Sequence, residues 1–155
     1  MSIEFSGVDG KLPKGRIAII ASRYNEAICD SLVEGAKRTL AEAGYDAASV
    51  VVVRVPGAWE LPIVAARMLK QSKMIAVITL GCVIKGETTH DEHINRAVSE
   101  ALMRLSIESD SPVGFGLLTC NTVEQALQRS GGNVGNKGEE AAEAVLELLR
   151  LAEKM

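Results

Sequence analysis

Four short stretches of the chain are apolar almost without a break: residues 16–21 (RIAIIA), 50–55 (VVVVRV), 74–80 (MIAVITL) and 113–119 (VGFGLLT). They do not alternate with polar residues, and most are rich in Val and Ile. That pattern predicts strands buried on both faces, as in a parallel sheet. Between the runs, apolar positions recur at helical spacing. Ile28, Leu32, Val33, Ala36 and Leu40 mark a first helix, which Gly44 ends. Leu61, Val64, Ala65, Met68 and Leu69 mark a second, with Pro62 tolerated in its first turn. Ile94, Ala97, Val98, Ala101, Leu102 and Leu105 form the third stripe, Val123, Ala126 and Leu127 a short fourth, and Ala141, Val145, Leu148 and Leu149 a last one. The glycine-rich stretch 131–138 (GGNVGNKG) reads as a loop between the last two helices.

Strand and helix alternate throughout. The class is therefore α/β, with a parallel sheet, right-handed crossovers and helices on both faces. In such a fold the site lies where the strands end at their carboxyl edge. A length of 155 residues fits one domain over 1–155, since two cores would each be unusually small. Residues 1–14 show no helical period and form an N-terminal arm, either extended against a neighbouring copy or disordered.

Composition narrows the function classes. A net charge of -3 gives no electrostatic case for nucleic acid or an anionic membrane. No apolar run approaches a membrane span, and the first residues lack the apolar core of a signal peptide. The three cysteines, Cys29, Cys82 and Cys120, are odd in number and widely spaced, which argues against a disulfide framework and against zinc. A soluble protein of the reducing cytoplasm is the simple expectation. Aromatics make up only 3 %, so their positions matter: Tyr24 and Trp59 fall at strand ends, where pockets form, whereas Phe115 falls inside a strand run.

Each strand run is followed by an informative loop: Ser22-Arg23-Tyr24-Asn25, then Pro56-Gly57-Ala58-Trp59-Glu60, then residues 81–90 (GCVIKGETTH), then Thr119-Cys120-Asn121-Thr122. In the third loop, Thr89 is placed as an N-cap and Glu92 completes a capping box, with His90 as the first helical residue. Free N–H groups at that helix start, reached past Gly86, favour an anion such as phosphate. A histidine beside it can serve as general acid or base near neutral pH, or be an ordinary surface residue of a capped helix. His90 and His93 share a helical face, but two histidines make a weak metal site. No dinucleotide fingerprint or P-loop follows any strand. Cys82 and Cys120 read more readily as pocket-wall thiols than as nucleophiles, and Arg129 and Lys137 by themselves read as solvated charges.

Taken together, Ser22-Arg23-Tyr24-Asn25, residues 55–62 (VPGAWELP), residues 80–90 (LGCVIKGETTH), residues 124–131 (EQALQRSG) and Gly135-Asn136-Lys137-Gly138 resemble the signature segments of the lumazine synthases, in order and at the right separations. The likeness runs from about residue 15 to 151. It implies a three-layer α/β/α sandwich with a four-stranded parallel sheet in flavodoxin-like order 2-1-3-4. It also implies condensation of 5-amino-6-(D-ribitylamino)uracil with 3,4-dihydroxy-2-butanone 4-phosphate, giving 6,7-dimethyl-8-ribityllumazine, phosphate and water. No cofactor and no metal are implied. On this likeness, Tyr24 stacks on the pyrimidine and Phe115 closes the pocket from a neighbouring subunit. Ala58, Trp59 and Glu60 hold the ribityl chain, and Cys82, Val83 and Ile84 line the uracil. Glu87, Thr88, Arg129 and Lys137 bind phosphate, and His90 moves protons. Tyr24 replaces a frequent phenylalanine and Cys82 a frequent threonine. Glu87 stands where small residues are common, so its carboxylate has to point away from phosphate. Sites are implied between subunits of a pentamer. The lack of an insertion before the last helix favours an icosahedral shell of sixty chains, one able to enclose a riboflavin synthase. The alternatives are an archaeal-type riboflavin synthase of the same fold and a flavin-binding shell without turnover.

Overall fold

The computed structural model describes residues Met1–Met155. Six strands and five helices follow one another along the chain: β1 (Arg16–Ser22), α1 (Glu26–Glu42), β2 (Val50–Val55), α2 (Leu61–Leu69), β3 (Met74–Ile84), α3 (His90–Ser109), β4 (Val113–Cys120), α4 (Val123–Gln128), β5 (Ser130–Gly132), β6 (Gly135–Asn136) and α5 (Lys137–Lys154). The first four strands form one parallel sheet in the order β2-β1-β3-β4.

β1 is apolar throughout because both of its faces are covered. Ile17, Ile19 and Ala21 face a core shared with α1, α4 and α5, whereas Ala18 and Ile20 face a core shared with α2 and α3. This is the three-layer sandwich in the strand order anticipated above. Gly44 ends the first helix as expected: at φ 103° it takes the left-handed backbone, and the Gly44 and Tyr45 N–H groups bond back to Ala41 and Leu40. The arm lies along α5. Lys154 Nζ donates to the Ser6 and Asp9 carbonyls at 2.8 and 2.7 Å, and the Tyr45 hydroxyl donates to Pro13 C=O at 2.7 Å.

Several expectations are corrected. The valine run 50–55 is not buried on both faces. β2 is an edge strand with one neighbour, so Val52 is 38 % exposed and Arg54 reaches Asp30 at 2.7 Å. β3 does not stop at Leu80 but continues to Ile84. Gly81 is there for close packing rather than a turn, because a Cβ on it would lie 2.8 Å from Leu117 Cδ1. Stretch 131–138 is not plain loop: β5 and β6 pair antiparallel within it. Two stripes are narrower than predicted, with Val123, Leu127 and Leu148 each about half exposed. The capping box at Thr89 does not form, since the Thr89 side chain makes no cap bond. Instead the Thr88 hydroxyl accepts the His90 N–H at 3.3 Å, and Thr89 Oγ1 faces His93 Nε2 at 3.5 Å.

Candidate active site

The carboxyl ends of β1, β2 and β3 surround a cleft of about 480 Å³. Its walls carry Tyr24, Ala58, Trp59, Glu60, Cys82, Val83, Ile84, Thr88 and His90, all of them singled out from the sequence. The wall is built from a sheet whose strands end at different heights. β1 runs out opposite Leu80, whereas β3 continues beside β4 as far as Ile84–Cys120. In a parallel strand, alternate residues turn their N–H and C=O to the same side. The Lys85 N–H goes to Cys120 C=O on the β4 side at 2.8 Å, so Cys82 and Ile84 face the side that β1 has left. Asn25 Nδ2 takes the Cys82 C=O there at 3.0 Å. The Ile84 backbone groups lie open to the cleft, as a short edge of sheet.

Tyr24 lines the same cleft and is 75 % exposed. Its ring is free but its backbone is pinned. The Tyr24 N–H bonds to Pro56 C=O at 3.2 Å, and the Cys29 thiol donates to Tyr24 C=O at 3.3 Å. Asn25 beside it holds left-handed backbone (φ 60°), a conformation asparagine tolerates and other side chains rarely adopt. Also in the lining, Gly57 N–H bonds to Glu60 Oε1 at 3.1 Å. This holds one carboxylate oxygen and leaves the other for a ligand hydroxyl.

The floor turns into α3 through residues 86–90. The His90 N–H is taken by Thr88, the helix ladder begins at the His93 N–H to Thr89, and the Asp91 and Glu92 N–H groups have no acceptor in the chain. A helix start in that state suits an oxyanion. Glu87, between Gly86 and Thr88 in sequence, is exposed and does not line the cleft.

Arg129, Lys137 and Phe115 are not in this cleft. They line a second one, of similar size, along the outer side of β4 with Thr119, Cys120 and Glu140; the two clefts share no lining residue. The Lys137 N–H bonds to Arg129 C=O at 2.9 Å, and Arg129 Nη1 rests on Gln125 C=O at 3.1 Å. Phe115 points outward from the edge strand, 42 % exposed.

The three thiols are buried, Cys82 in the wall of the first cleft and Cys120 in that of the second. Burial pushes the Cys82 thiol up to about 12, helped by Cys29 and Cys120 nearby. Burial also raises Cys29 against the Ser22 hydrogen bond, and Cys120 against the Arg129 charge. Neutral thiols of this kind are wall, not nucleophile. No group of three or more His, Cys, Asp or Glu side chains is gathered to hold a metal.

Asn25, Gly57, Gly86, Asp91 and Ile94 also line the first cleft and Gln125, Val134 and Glu140 the second; of these the sequence tied only Gly86 to an anion site, as the approach to the helix start. The first three lie in the strand-end loops already singled out. Asp91 and Ile94 follow from helical spacing after His90.

The 6,7-dimethyl-8-ribityllumazine synthase model matches residues 14–153. The chain belongs to the lumazine synthase family. It is 62 % identical over 149 residues to the 6,7-dimethyl-8-ribityllumazine synthase of Rhodopirellula baltica, covering 96 % of each chain. It is 49 % identical to that of Stenotrophomonas maltophilia over 90 % of each, and 47 % identical to that of Xanthomonas oryzae pv. oryzae over 94 % of each. Lumazine synthases are enzymes of riboflavin biosynthesis. Within the family frame, the first cleft gathers the ring-stacking and ribityl-binding candidates, and the second gathers two of the phosphate-binding candidates.

Proposed function

We propose that the chain is a working lumazine synthase. It condenses 5-amino-6-(D-ribitylamino)uracil with 3,4-dihydroxy-2-butanone 4-phosphate to the lumazine, with loss of phosphate and water. The observation that carries this reading is the first cleft, whose lining brings together an exposed aromatic ring on pinned backbone, an unpaired sheet edge, a half-free carboxylate and a histidine-bearing helix start.

Each part has work in the reaction. The pyrimidine lies flat under Tyr24 and bonds edge-on to the backbone that β1 leaves open. Its ribityl hydroxyls run past Ala58 and Trp59 to Glu60. The amine of the pyrimidine attacks the ketone carbon of the second substrate, and water leaves to give the imine. Phosphate then departs by elimination, the resulting enol becomes a ketone, and the second amine closes the ring on that ketone carbon with loss of a second water. His90 is placed to carry protons between these steps. Thr88, the Glu87 backbone and the open N–H groups beyond it receive the phosphate, with the Arg129 fork and the Lys137 ammonium neutralising it. Most of the rate comes from holding two reactive partners together.

Because Arg129, Lys137 and Phe115 line a separate cleft, the complete site takes them from a second copy of the chain. Residues 1–155 then act as one domain within a pentamer. The short β5–β6 hairpin, without an insertion, fits packing of pentamers into a sixty-chain shell. A riboflavin synthase, which consumes the lumazine, is the partner such a shell would enclose. Three unpaired thiols suit the cytoplasm, and no helix is long and apolar enough to cross a membrane.

Purified protein given both substrates should raise lumazine absorbance above the uncatalysed blank. A rate equal to the blank rejects the reading. Riboflavin made from lumazine alone would instead indicate the riboflavin synthase reaction, and tight riboflavin binding without condensation would indicate a container.

A further inference from the structure

Arg129 and Lys137 are eight positions apart and come together through the turn between them. Lys137 N–H meets Arg129 C=O, and Ser130 pairs with Asn136 across β5 and β6. That hairpin is two to three residues long on each side, too short to be rigid alone. What fixes it is the Asn136 side chain, which is only 8 % exposed. Its Oδ1 accepts from the Gly138 and Glu139 N–H groups at 2.8 and 3.2 Å, capping α5. Its Nδ2 donates across to Ser31 C=O on α1 at 3.0 Å.

The cap alone does not require asparagine, since Ser, Thr or Asp would supply the acceptor. The amide caps α5 and donates to α1 at once because its acceptor and its donor sit on different atoms, Oδ1 toward one helix and Nδ2 toward the other. The surroundings are shaped to admit it. A Cβ on Gly35 would lie 2.6 Å from Asn136 Oδ1, and a Cβ on Gly138 would lie 2.0 Å from Leu32 C=O. The chain thus presses the start of α5 against the middle of α1, and Lys137 is the residue held between Asn136 and Gly138.

We infer that Asn136 is a positioning residue for the anion-binding half of the site, tying the Arg129–Lys137 pair to α1 through its Nδ2–Ser31 bond. This rests on the reading of Arg129 and Lys137 as phosphate ligands. The bond joins the second cleft to α1, the helix whose first turn follows Tyr24 and Asn25. It sets where the two cations stand relative to the rest of the molecule without touching substrate.

The test is Asn136→Ser, which keeps a capping oxygen on a shorter side chain and removes the separate Nδ2 donor that reaches Ser31 C=O. Steady-state kinetics with each substrate varied should show the apparent KM for the butanone phosphate rising about three- to tenfold, the range of one lost hydrogen bond. The KM for the pyrimidine and kcat should stay within about twofold. Inorganic phosphate, as a competitive inhibitor, should weaken by the same factor. Gly35→Ala, in a helix interior that favours alanine, should displace the amide and shift the same constant. Unchanged constants, or both KM values moving together with a lowered Tm, would reduce Asn136 to a helix cap and overturn the inference. Arg129→Ala serves as the control. If it leaves the phosphate KM unchanged, the assignment of the second cleft has failed; if it raises that KM while Asn136→Ser does not, only the positioning role has.

Discussion

At the residue scale, the chain spends its few aromatics on the surface. Tyr24, Trp59 and Phe115 are 75, 61 and 42 % exposed, and of the two tyrosines only Tyr45 is buried. Exposed rings on pinned backbone are left free for a ligand or a neighbouring chain to cover, because the core does not need them. The charges follow the same division. Arg129 reaches no carboxylate, so its guanidinium keeps most of its donors for a ligand. Arg129→Ala should therefore raise the KM for the phosphate-bearing substrate by roughly 10- to 100-fold, as expected for a charge-assisted contact. His90→Ala should lower kcat by no more than about 10²-fold, the low end of acid–base help, since the condensation partly runs unaided. Initial rates with each substrate varied distinguish the two effects. The thiols give a pH prediction. Their ordinary value is near 9, and burial raises all three, Cys82 to about 12. Above pH 9 the unfolded chain releases these protons and the folded chain keeps them, so stability falls as pH rises through that window. For Cys82 the slope approaches about 1.4 kcal/mol per pH unit. Urea midpoints on either side of pH 9 should show the loss, and Cys82→Ala should flatten it.

At the element scale, the closest helix contact is the one that carries the second cleft. α1 and α5 meet with no side chain between Gly138 and Leu32 C=O. Gly138→Ala cannot be absorbed by a rotamer change, because the obstacle is backbone, and the helices must part. A loss of about 1–3 kcal/mol in urea unfolding is expected; an unchanged midpoint would mean that α5 slides freely on α1. This contact shows where the sequence is silent. A glycine inside a helix start reads only as a weak helix former, and the partner carbonyl that demands it lies more than a hundred residues away. Likewise Gly81 reads as the end of β3 when it is the place where Leu117 and Ser22 crowd in. By contrast, β1, α1 and the Gly44 stop were legible, because burial on both faces and left-handed backbone are local demands written into residue type. The first cleft was legible for a related reason: in a parallel sheet, strand order alone carries three loops to one edge. That Phe115 and Arg129 sit around the corner of β4 was not, since it depends on which side of an edge strand a residue faces.

At the scale of the whole molecule, the two clefts pose a question of valence. One chain carries an exposed ring, a carboxylate and a histidine at the ends of β1, β2 and β3, and an arginine, a lysine and a phenylalanine along β4, with no wall in common. If the working site joins the first cleft of one copy to the second cleft of another, damage to the two clefts should complement. Glu60→Ala/His90→Ala leaves the second cleft intact, and Arg129→Ala leaves the first intact. Unfolded together in equal amounts and reassembled, the variants should form mixed particles. A site is whole only when its first cleft comes from the Arg129→Ala chain and its second from the Glu60→Ala/His90→Ala chain, which random mixing gives for about one site in four, provided each site spans two copies. Activity at low butanone phosphate should then reach about a quarter of the wild-type value, well above either parent. It should also rise with mixing ratio to a maximum near equality. If the mixture instead shows only the average of its parents at every ratio, both clefts serve a site within one chain, and the assembly contributes stability rather than chemistry.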